Sequence, residues 1–537
     1  MNRTTKDDME LIVSHPRGRP VVADYLDADP EAVRFYGRHF SDLNAYRSKA
    51  EDVDARFDRQ TRKTAAAGLT VPPGADPARL ERFVEEGGYV VTTGQQPGLY
   101  GGPLYSIYKG LTAVRVADAL EAALGKPVLP VFWVASDDHD WEEANHTWLI
   151  GVDNELHRFA LPAPDGNVTP PLHRIELGAS ADESLAAFVG HLPETDFSGP
   201  YVDAIREGFG RGGSLPGGFH RLLHGVLGRF GMYFLDAAEP TLKRATRDFL
   251  LDELGRAAEM EKVLHSTEKE LENAGYGVQA TIMEGGINLF MEGPAGRERL
   301  YREGAHYRLR TSGEVLSEEA IRDAVEADPT VLSPNVMLRP VVESAFLPTL
   351  SYVGGPGEIA YFAELRGYFE AHGMEMPVIH PRWSVTVVET KIRKVLDKFG
   401  LDIGHLDRPF HEVATGFAKE GTPASVQDAL GALRGAIGSG TGDLQKAVTE
   451  VDPTLKGPVQ TLRNQTFAAL ADVEKKVSQA VKRESEIALS QIEKAQLHLF
   501  PDGKPAERVQ NALYYLTRYG DAFLDQLSER FEVKFDG

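Results

Sequence analysis

Two stretches decide the reading of the fold: Val91-Thr92-Thr93-Gly94-Gln95-Gln96-Pro97-Gly98-Leu99-Tyr100-Gly101-Gly102-Pro103-Leu104-Tyr105 and Val131-Phe132-Trp133-Val134-Ala135-Ser136-Asp137-Asp138-His139-Asp140. Each is an apolar run that breaks into a Gly-rich or polar loop. Between them, Leu104 to Leu124 reads as a helix. Ile107, Leu111, Val114, Ala117, Leu120 and Leu124 recur at three- and four-residue spacing, and Gly125 ends the pattern. A connection this long lets the flanking strands run parallel, and the crossover is right-handed. Both loops then lie at the carboxyl edge of one sheet, where open α/β sheets bind ligands. Tyr89 to Thr93 is the first strand. Pro130 lacks an N–H, so the paired part of the second is expected at Val131 to Ala135.

The pattern repeats downstream. Leu350 to Gly355 reads as a strand, Gly354-Gly355-Pro356-Gly357-Glu358 as a turn opening a helix to about His372, and Met376 to His380 as a strand. The chain is therefore α/β, with two βαβ units separated by an inserted region. The expected divisions are a helical segment over 1–86, the first half of the core over 87–150, and a connecting region over 151–333. The second half of the core follows over 334–385, a helical domain over 386–500, and a C-terminal segment over 501–537 that returns to the core. In the helical domain Gly438-Ser439-Gly440-Thr441-Gly442 reads as a flexible break. Leu470, Val473, Val477, Val481, Ala488, Ile492, Ala495 and Leu499 then form a stripe with coiled-coil or long-hairpin spacing.

The 537 residues exceed one ordinary core. Fifty-eight basic against 80 acidic residues give a net charge of −22, a field that repels nucleic acid. The absence of cysteine excludes disulfides, Cys-ligated metals and thiol nucleophiles. Met1 to Asp8 lacks a signal-peptide pattern, and no apolar run approaches the ~20 residues of a membrane helix. A cytoplasmic enzyme without membrane or nucleic-acid partners is expected.

Three acids flank His139, an arrangement that raises an imidazole pKa and orients it for acid–base work, so Asp137, Asp138 and His139 are the catalytic candidates. The plain alternative is an acidic helix start. No metal ligand set is assigned: there is no H-E-x-x-H, and His139 to His146 is not a usual zinc spacing. The binding candidates are Gly94, Gln95, Gln96, Tyr105, Lys109, Asn145, Arg339, Glu343, Gly354, Gly355, Glu358 and Arg382. Both Gly-rich turns precede helices, whose free N–H groups suit phosphate or carboxylate. Lys109 lies one turn into the first helix, and Arg339 and Arg382 can grip carboxylates. Neither loop is a Walker A or a G-x-G-x-x-G.

Four segments carry a resemblance: TTGQQPGLYGGPLYSIYK (92–109), PVFWVASDDHDWEEANH (130–146), NVMLRPVVESAFLPTLSYVGGPGEIAYFAELRGYFEAHGMEMPVIHPR (335–382) and LFPDGKPAERVQNALYYLTRYG (499–520). Their order and spacing resemble the bacillithiol biosynthesis cysteine-adding enzymes. The resemblance implies a Rossmann-like, nucleotidyltransferase-type core with insertions, a coiled-coil domain and a homodimer. It also implies a ligase joining the carboxyl of L-cysteine to the amine of glucosaminyl-malate. Members often carry His where this chain has Tyr108, and the nucleotidyltransferase signatures H-x-G-H and K-M-S-K-S are absent.

Amide formation from a free carboxylate needs activation, normally by ATP with Mg²⁺; no tightly held cofactor is expected. A metal-dependent hydrolase built on Asp137-Asp138-His139 is the alternative, and a coiled-coil scaffold without catalysis a third reading.

Overall fold

Five parallel strands form the central sheet of the computed structural model, which describes residues 9–164 and 168–536. They are β1 (Tyr89–Gln95), β2 (Val128–Val134), β3 (Tyr233–Asp236), β4 (Thr349–Gly354) and β5 (Val378–Pro381), in the order β5-β4-β1-β2-β3. Every residue of β2 and β4 is buried, as apolar strands covered on both faces must be. The chain steps from β1 outward to β3, then returns to β4 on the other side of β1. This is the Rossmann order, and its switch point lies between β1 and β4. Helix α1 (Tyr105–Leu124) makes the first crossover, and Gly125 closes it in the left-handed region.

Three expectations change. The region 151–333 is not wholly an insertion, because it supplies the edge strand β3. With only four residues, Tyr233–Asp236 gives a weak periodic signal. Pro130 lies inside β2 opposite Val91; β3 pairs only from Val131 onward, so the proline has a strand partner on one side alone. The helix expected from Glu358 to His372 is two short ones, α4 (Pro356–Phe362) and Arg366–Ala371. At the break, the Glu364 carboxylate accepts the N–H groups of Gln279 and Ala280 at 2.6 and 3.1 Å.

The rest of the connecting region builds a second, antiparallel sheet from Gly286–Gly293, Gly296–Glu303, His306–Leu309, Val315–Leu316 and Leu332–Pro334. The long helix α2 (Pro240–Asn273) packs on it, and α3 (Arg339–Phe346) leads back to β4. One apolar core runs from Leu250, Leu254 and Met260 of α2 through Leu289 and Leu300 to Tyr352 and Phe362. This joins the second sheet to the first and walls the carboxyl edge.

Contacts divide the chain into a larger unit, residues 11–386 with 507–536, and a smaller one holding 387–506. In the smaller unit, α5 (Ala424–Val451) and α6 (Lys456–Glu484) pair as a helical hairpin, followed by α7 (Glu486–Leu499). The expected break at Gly438–Gly442 is continuous helix. Glycine costs about 1 kcal/mol per site there, and packing along α6 carries the helix through. The stripe breaks at Ser485. Its C-terminal part, Ile492, Ala495 and Leu499, packs with Val388, Ile392, Leu396 and Val413 of the same chain. Among the described residues, no helix is long and apolar enough to cross a membrane.

Candidate functional site

At the switch point the ends of β1 and β4 open into a cavity of about 700 Å³. Of the residues singled out by sequence, Gly94, Gln95, Gln96, Tyr105, Lys109, Asp137, Asp138, His139, Arg339, Gly355, Glu358 and Arg382 line it. Strand ends and the first turn of α1 place them there. The second sheet adds Phe290, Arg297 and Arg299, and the C-terminal segment adds Arg508.

The floor is a set of buried ion pairs. Lys109 Nζ lies 2.5 Å from Glu358 Oε2 and donates to the Gly94 carbonyl at 2.7 Å and to Gln95 Oε1 at 3.1 Å. Burial lowers the Lys109 pKa against the opposing pull of Glu358. Burial alone would raise Glu358, but Lys109, the Tyr352 hydroxyl and the Gly355 N–H outweigh it and hold that carboxyl below its ordinary value. Arg339 pairs with Glu343 at 2.8 Å, and its guanidinium donates to Tyr352 and Tyr361, each at 3.2 Å. Arg382 is gripped by Glu507 at 2.7 and 3.1 Å. Asp137 meets Lys243 Nζ at 3.1 Å.

The wall beside β2 is organised differently. Gln96 and the His139 backbone N–H both donate to the Asp138 carboxylate. Burial would raise that carboxyl, but its contacts with His139, the Arg297 charge and the Gln96 amide hold it far below the carboxylate range. Arg297 is pinned by Ser333 Oγ at 2.9 Å and the Pro334 carbonyl at 2.8 Å, and donates to His139 Nδ1 at 3.0 Å. Asp138 lies farther from that nitrogen, at 3.5 Å. Arginine can only donate, so Nδ1 is the acceptor and the imidazole proton sits on Nε2. His139 therefore presents its remaining nitrogen, Nε2, as a donor. Burial, with Asp140 and Asp138 nearby, raises the pKa of Glu143, which also lines the cavity.

Several expectations fall. The first Gly-rich turn closes its N–H groups on the chain itself, and the second closes that of Gly355. The N–H groups of Gly101 and Gly102 close on Gly98 and Leu99, that of Leu104 on Gln510, and that of Gly355 on Glu358. Asn145 is buried and donates to the Leu161 carbonyl at 2.9 Å, pinning the hairpin His146–Ala160. Glu343 sits behind Arg339 rather than on the cavity, and Gly354 is a buried strand end whose carbonyl accepts the Arg382 N–H. Arg382 is held by Glu507, not left to grip a ligand. Among the described residues, Asp137, Asp138 and His139 do not converge as a metal-binding group. Tyr108 is buried, with its hydroxyl on the Val385 carbonyl at 3.2 Å. Reading the sequence missed Lys243, Arg297, Arg299, Glu507 and Arg508. All come from the connecting region or the C-terminal segment, where Glu507 and Arg508 fall within the stretch 499–520 that carries the resemblance.

Six of the lining side chains are cationic (Lys109, Arg297, Arg299, Arg339, Arg382, Arg508) and four are carboxylates (Asp137, Asp138, Glu143, Glu358). Most of these charges are paired, and the excess left by Arg299 and Arg508 over Glu143 makes the chamber mildly cationic, which favours anions there. Among the described residues, Arg299 and Arg508 have no ion-pair partner. A neighbouring cavity of about 550 Å³ shares Gln96, Asp138 and His139 with the first and adds Asp140, Trp141, Glu142, Pro164 and Ile175. These three residues thus stand between two chambers.

Two family models match the chain: the N-terminal Rossmann-like domain of bacillithiol biosynthesis BshC over residues 9–383, and its C-terminal coiled-coil domain over 385–535. A protein of Salinibacter ruber named "Putative cysteine ligase BshC" is 31% identical over 84% of this chain and 82% of its own. A protein of the same name from Heliobacterium modesticaldum is 31% identical over 94% and 92%, and one from Koribacter versatilis 29% over 95% of each. With both domain models matched in order along nearly its whole length, the chain belongs to the bacillithiol biosynthesis BshC family.

Proposed function

We propose that this chain is a ligase that joins the carboxyl of L-cysteine to the amine of glucosaminyl-malate, forming the amide bond of bacillithiol. The observation that carries the reading is the pair of chambers meeting at Gln96, Asp138 and His139. Two substrates have to be brought together at one point, and the cationic chamber suits the one whose carboxylate reacts. The acidic rim at Asp140 and Glu142 suits a substrate that arrives as an ammonium ion. His139, fixed by Arg297, donates from Nε2 to oxygen as negative charge develops on the attacked carboxyl, the preorganised stabilisation that lowers such barriers. Asp138 stays ionised and holds the His139 loop. Glu143, with its raised pKa, is the group placed to take a proton from the attacking amine.

For activation we propose ATP with Mg²⁺, bound reversibly. Arg299 and Arg508, which form no ion pair among the described residues, suit phosphate oxygens. When bound, the nucleotide would supply the phosphoryl or adenylyl group that converts an oxygen of the cysteine carboxylate into a leaving group, lost as phosphate or AMP when the amine attacks. We further propose a homodimer through the helical hairpin, supported by the apolar side chains that α5 and α6 leave exposed.

Cells lacking this protein should lose bacillithiol and accumulate glucosaminyl-malate. Wild-type protein should restore the thiol, His139→Ala should not, and His139→Gln, which keeps an N–H donor, should restore part of it. An unchanged thiol pool overturns the assignment. Equal failure of the Gln and Ala variants overturns the donor role of His139.

A further inference from the structure

Outside the two chambers, the turn of the hairpin His146–Ala160 carries a second group of ligating side chains. Asp153, His157 and His191 bring one donor atom each within 4.8 Å of one another. We propose that these three side chains form a binding site for a divalent transition metal of the Zn²⁺ class. Two imidazoles and one carboxylate with open positions form a donor set that suits such ions and is ill suited to Mg²⁺ or Ca²⁺.

His191 is positioned by a contact that leaves its donor atom free, and the donor atoms of Asp153 and His157 already meet each other. His191 ends the helix Ala179–Gly190, and its Nδ1 donates to the Ala187 carbonyl at 2.8 Å. That bond fixes the tautomer and leaves the Nε2 lone pair available, the arrangement usual for metal-bound histidine. One oxygen of Asp153, Oδ1, accepts the Glu155 N–H at 3.1 Å, while Oδ2 lies 2.8 Å from His157 Nε2. In that hydrogen bond the imidazole N–H donates to the carboxylate, and a bound ion takes the place of the proton. The His157 and His191 rings face each other with centroids 4.2 Å apart.

The backbone is built around the group. Gly151 donates to the Glu155 carbonyl and Val152 to the His191 carbonyl, so the turn is stapled to the helix end that bears the third ligand. A Cβ at Gly151 would lie 2.7 Å from Asp153 Oδ1 and 3.1 Å from Cδ2 of both His157 and His191. The missing side chain is the space in which the three meet. Bound metal would cross-link the hairpin to the helix, and that hairpin begins directly after the loop carrying Asp138 and His139.

The test uses the full chain, stripped with a chelator and titrated with Zn²⁺ by calorimetry and with Co²⁺ by visible absorption. We expect one equivalent of Zn²⁺ bound, a Co²⁺ spectrum of nitrogen and oxygen ligation, and a Zn²⁺-dependent rise in melting temperature. His191→Ala and Asp153→Asn should each weaken Zn²⁺ binding by at least ~10-fold and abolish the rise, while melting like the wild type without metal. The Asp153→Asn arm keeps the side-chain shape should the histidine variant fold poorly. Absence of binding to wild-type protein overturns the site. So does one equivalent held equally well by both variants, which would place the ion elsewhere.

Discussion

The floor of the cavity and the helical hairpin of the smaller unit treat polar and apolar side chains in opposite ways. Under the sheet edge Lys109, Glu343 and Arg382 are nearly inaccessible, and each faces an opposite charge. On the hairpin no residue of α5 is buried, and Leu433, Leu444, Leu462 and Val473 are exposed. Burying charge is costly unless it is paired; leaving Leu and Val in water is costly unless something covers them. The floor has resolved its cost within one chain. The hairpin has not, and the contrast separates charges that hold the site's shape from apolar side chains left in water.

The sharpest way to break the first half of this contrast is to remove one member of a pair. Lys109→Met leaves Glu358 buried without its cation and should cost about 3–5 kcal/mol; Glu358→Gln should cost a similar amount. The double variant should recover most of that loss, because no uncompensated charge remains. Chemical denaturation of the three variants measures it. A double variant no more stable than the worse single one would show that the pair contributes more than neutralisation.

Next in size is a pH effect at the loop that closes the cavity. Burial pushes the Glu364 carboxyl up to about 7 from its ordinary 4.5, although it accepts N–H bonds from Gln279 and Ala280. The folded state thus holds this proton more tightly than the unfolded chain. Its contribution is fully present below pH 4.5 and lost as pH rises through 7, at most ~3 kcal/mol. Glu364→Gln does not titrate, so its stability should fall less than that of the wild type between pH 5 and 8. Parallel curves would mean that Glu364 is ionised throughout. Because Gln279 and Ala280 line the cavity, the same titration loosens one of its walls.

A smaller effect is expected where the C-terminal segment covers the first Gly-rich turn. Asn511 Nδ2 donates to the Tyr100 carbonyl at 3.0 Å and to Thr147 Oγ1 at 2.9 Å. Asn511→Ala leaves these acceptors unpaired, at about 1–3 kcal/mol. Melting curves should show the loss without a change in secondary structure.

These residues also mark what the sequence could and could not disclose. The strands β1, β2, β4 and β5 and helix α1 were legible because each is a local pattern: an apolar run, or apolar residues at threes and fours. The cavity's position followed from them, since a parallel βαβ unit fixes which edge bears its loops. The polarity of its contacts did not. That Glu358 would cap Gly355, that Glu507 would take Arg382, and that Gln510 would take the Leu104 N–H depend on pairings between segments as much as 406 residues apart (510 less 104). A Gly-rich turn before a helix looks identical in sequence whether its N–H groups face a ligand or a neighbouring chain segment. His139 shows the same limit: its acidic neighbours in sequence suggested acid–base work, and an arginine from 158 residues away decided its tautomer.

The smallest expected effect on folding tests the other half of the contrast. Leu433 and Leu444 on α5 are eleven residues apart, as are Leu462 and Val473 on α6, and eleven residues make three helical turns. Each pair therefore shares a face, and all four side chains are at least 43% exposed. Leu433→Glu and Val473→Glu remove no buried contact in the single chain, so the change in monomer stability should stay within about ±0.5 kcal/mol. If the hairpin forms the homodimer, these charges face their own copies across a symmetric interface, where like-charge juxtaposition costs several kcal/mol. Sedimentation velocity should then show wild-type protein as a dimer and the double variant as a monomer at the same concentration, with unchanged helicity. Ile492→Asp serves as the control, because that side chain is inaccessible within its own unit and its loss should unfold the helices instead. Identical sedimentation of wild type and double variant would leave the exposed apolar face unrelated to self-association and remove the hairpin as the dimer contact.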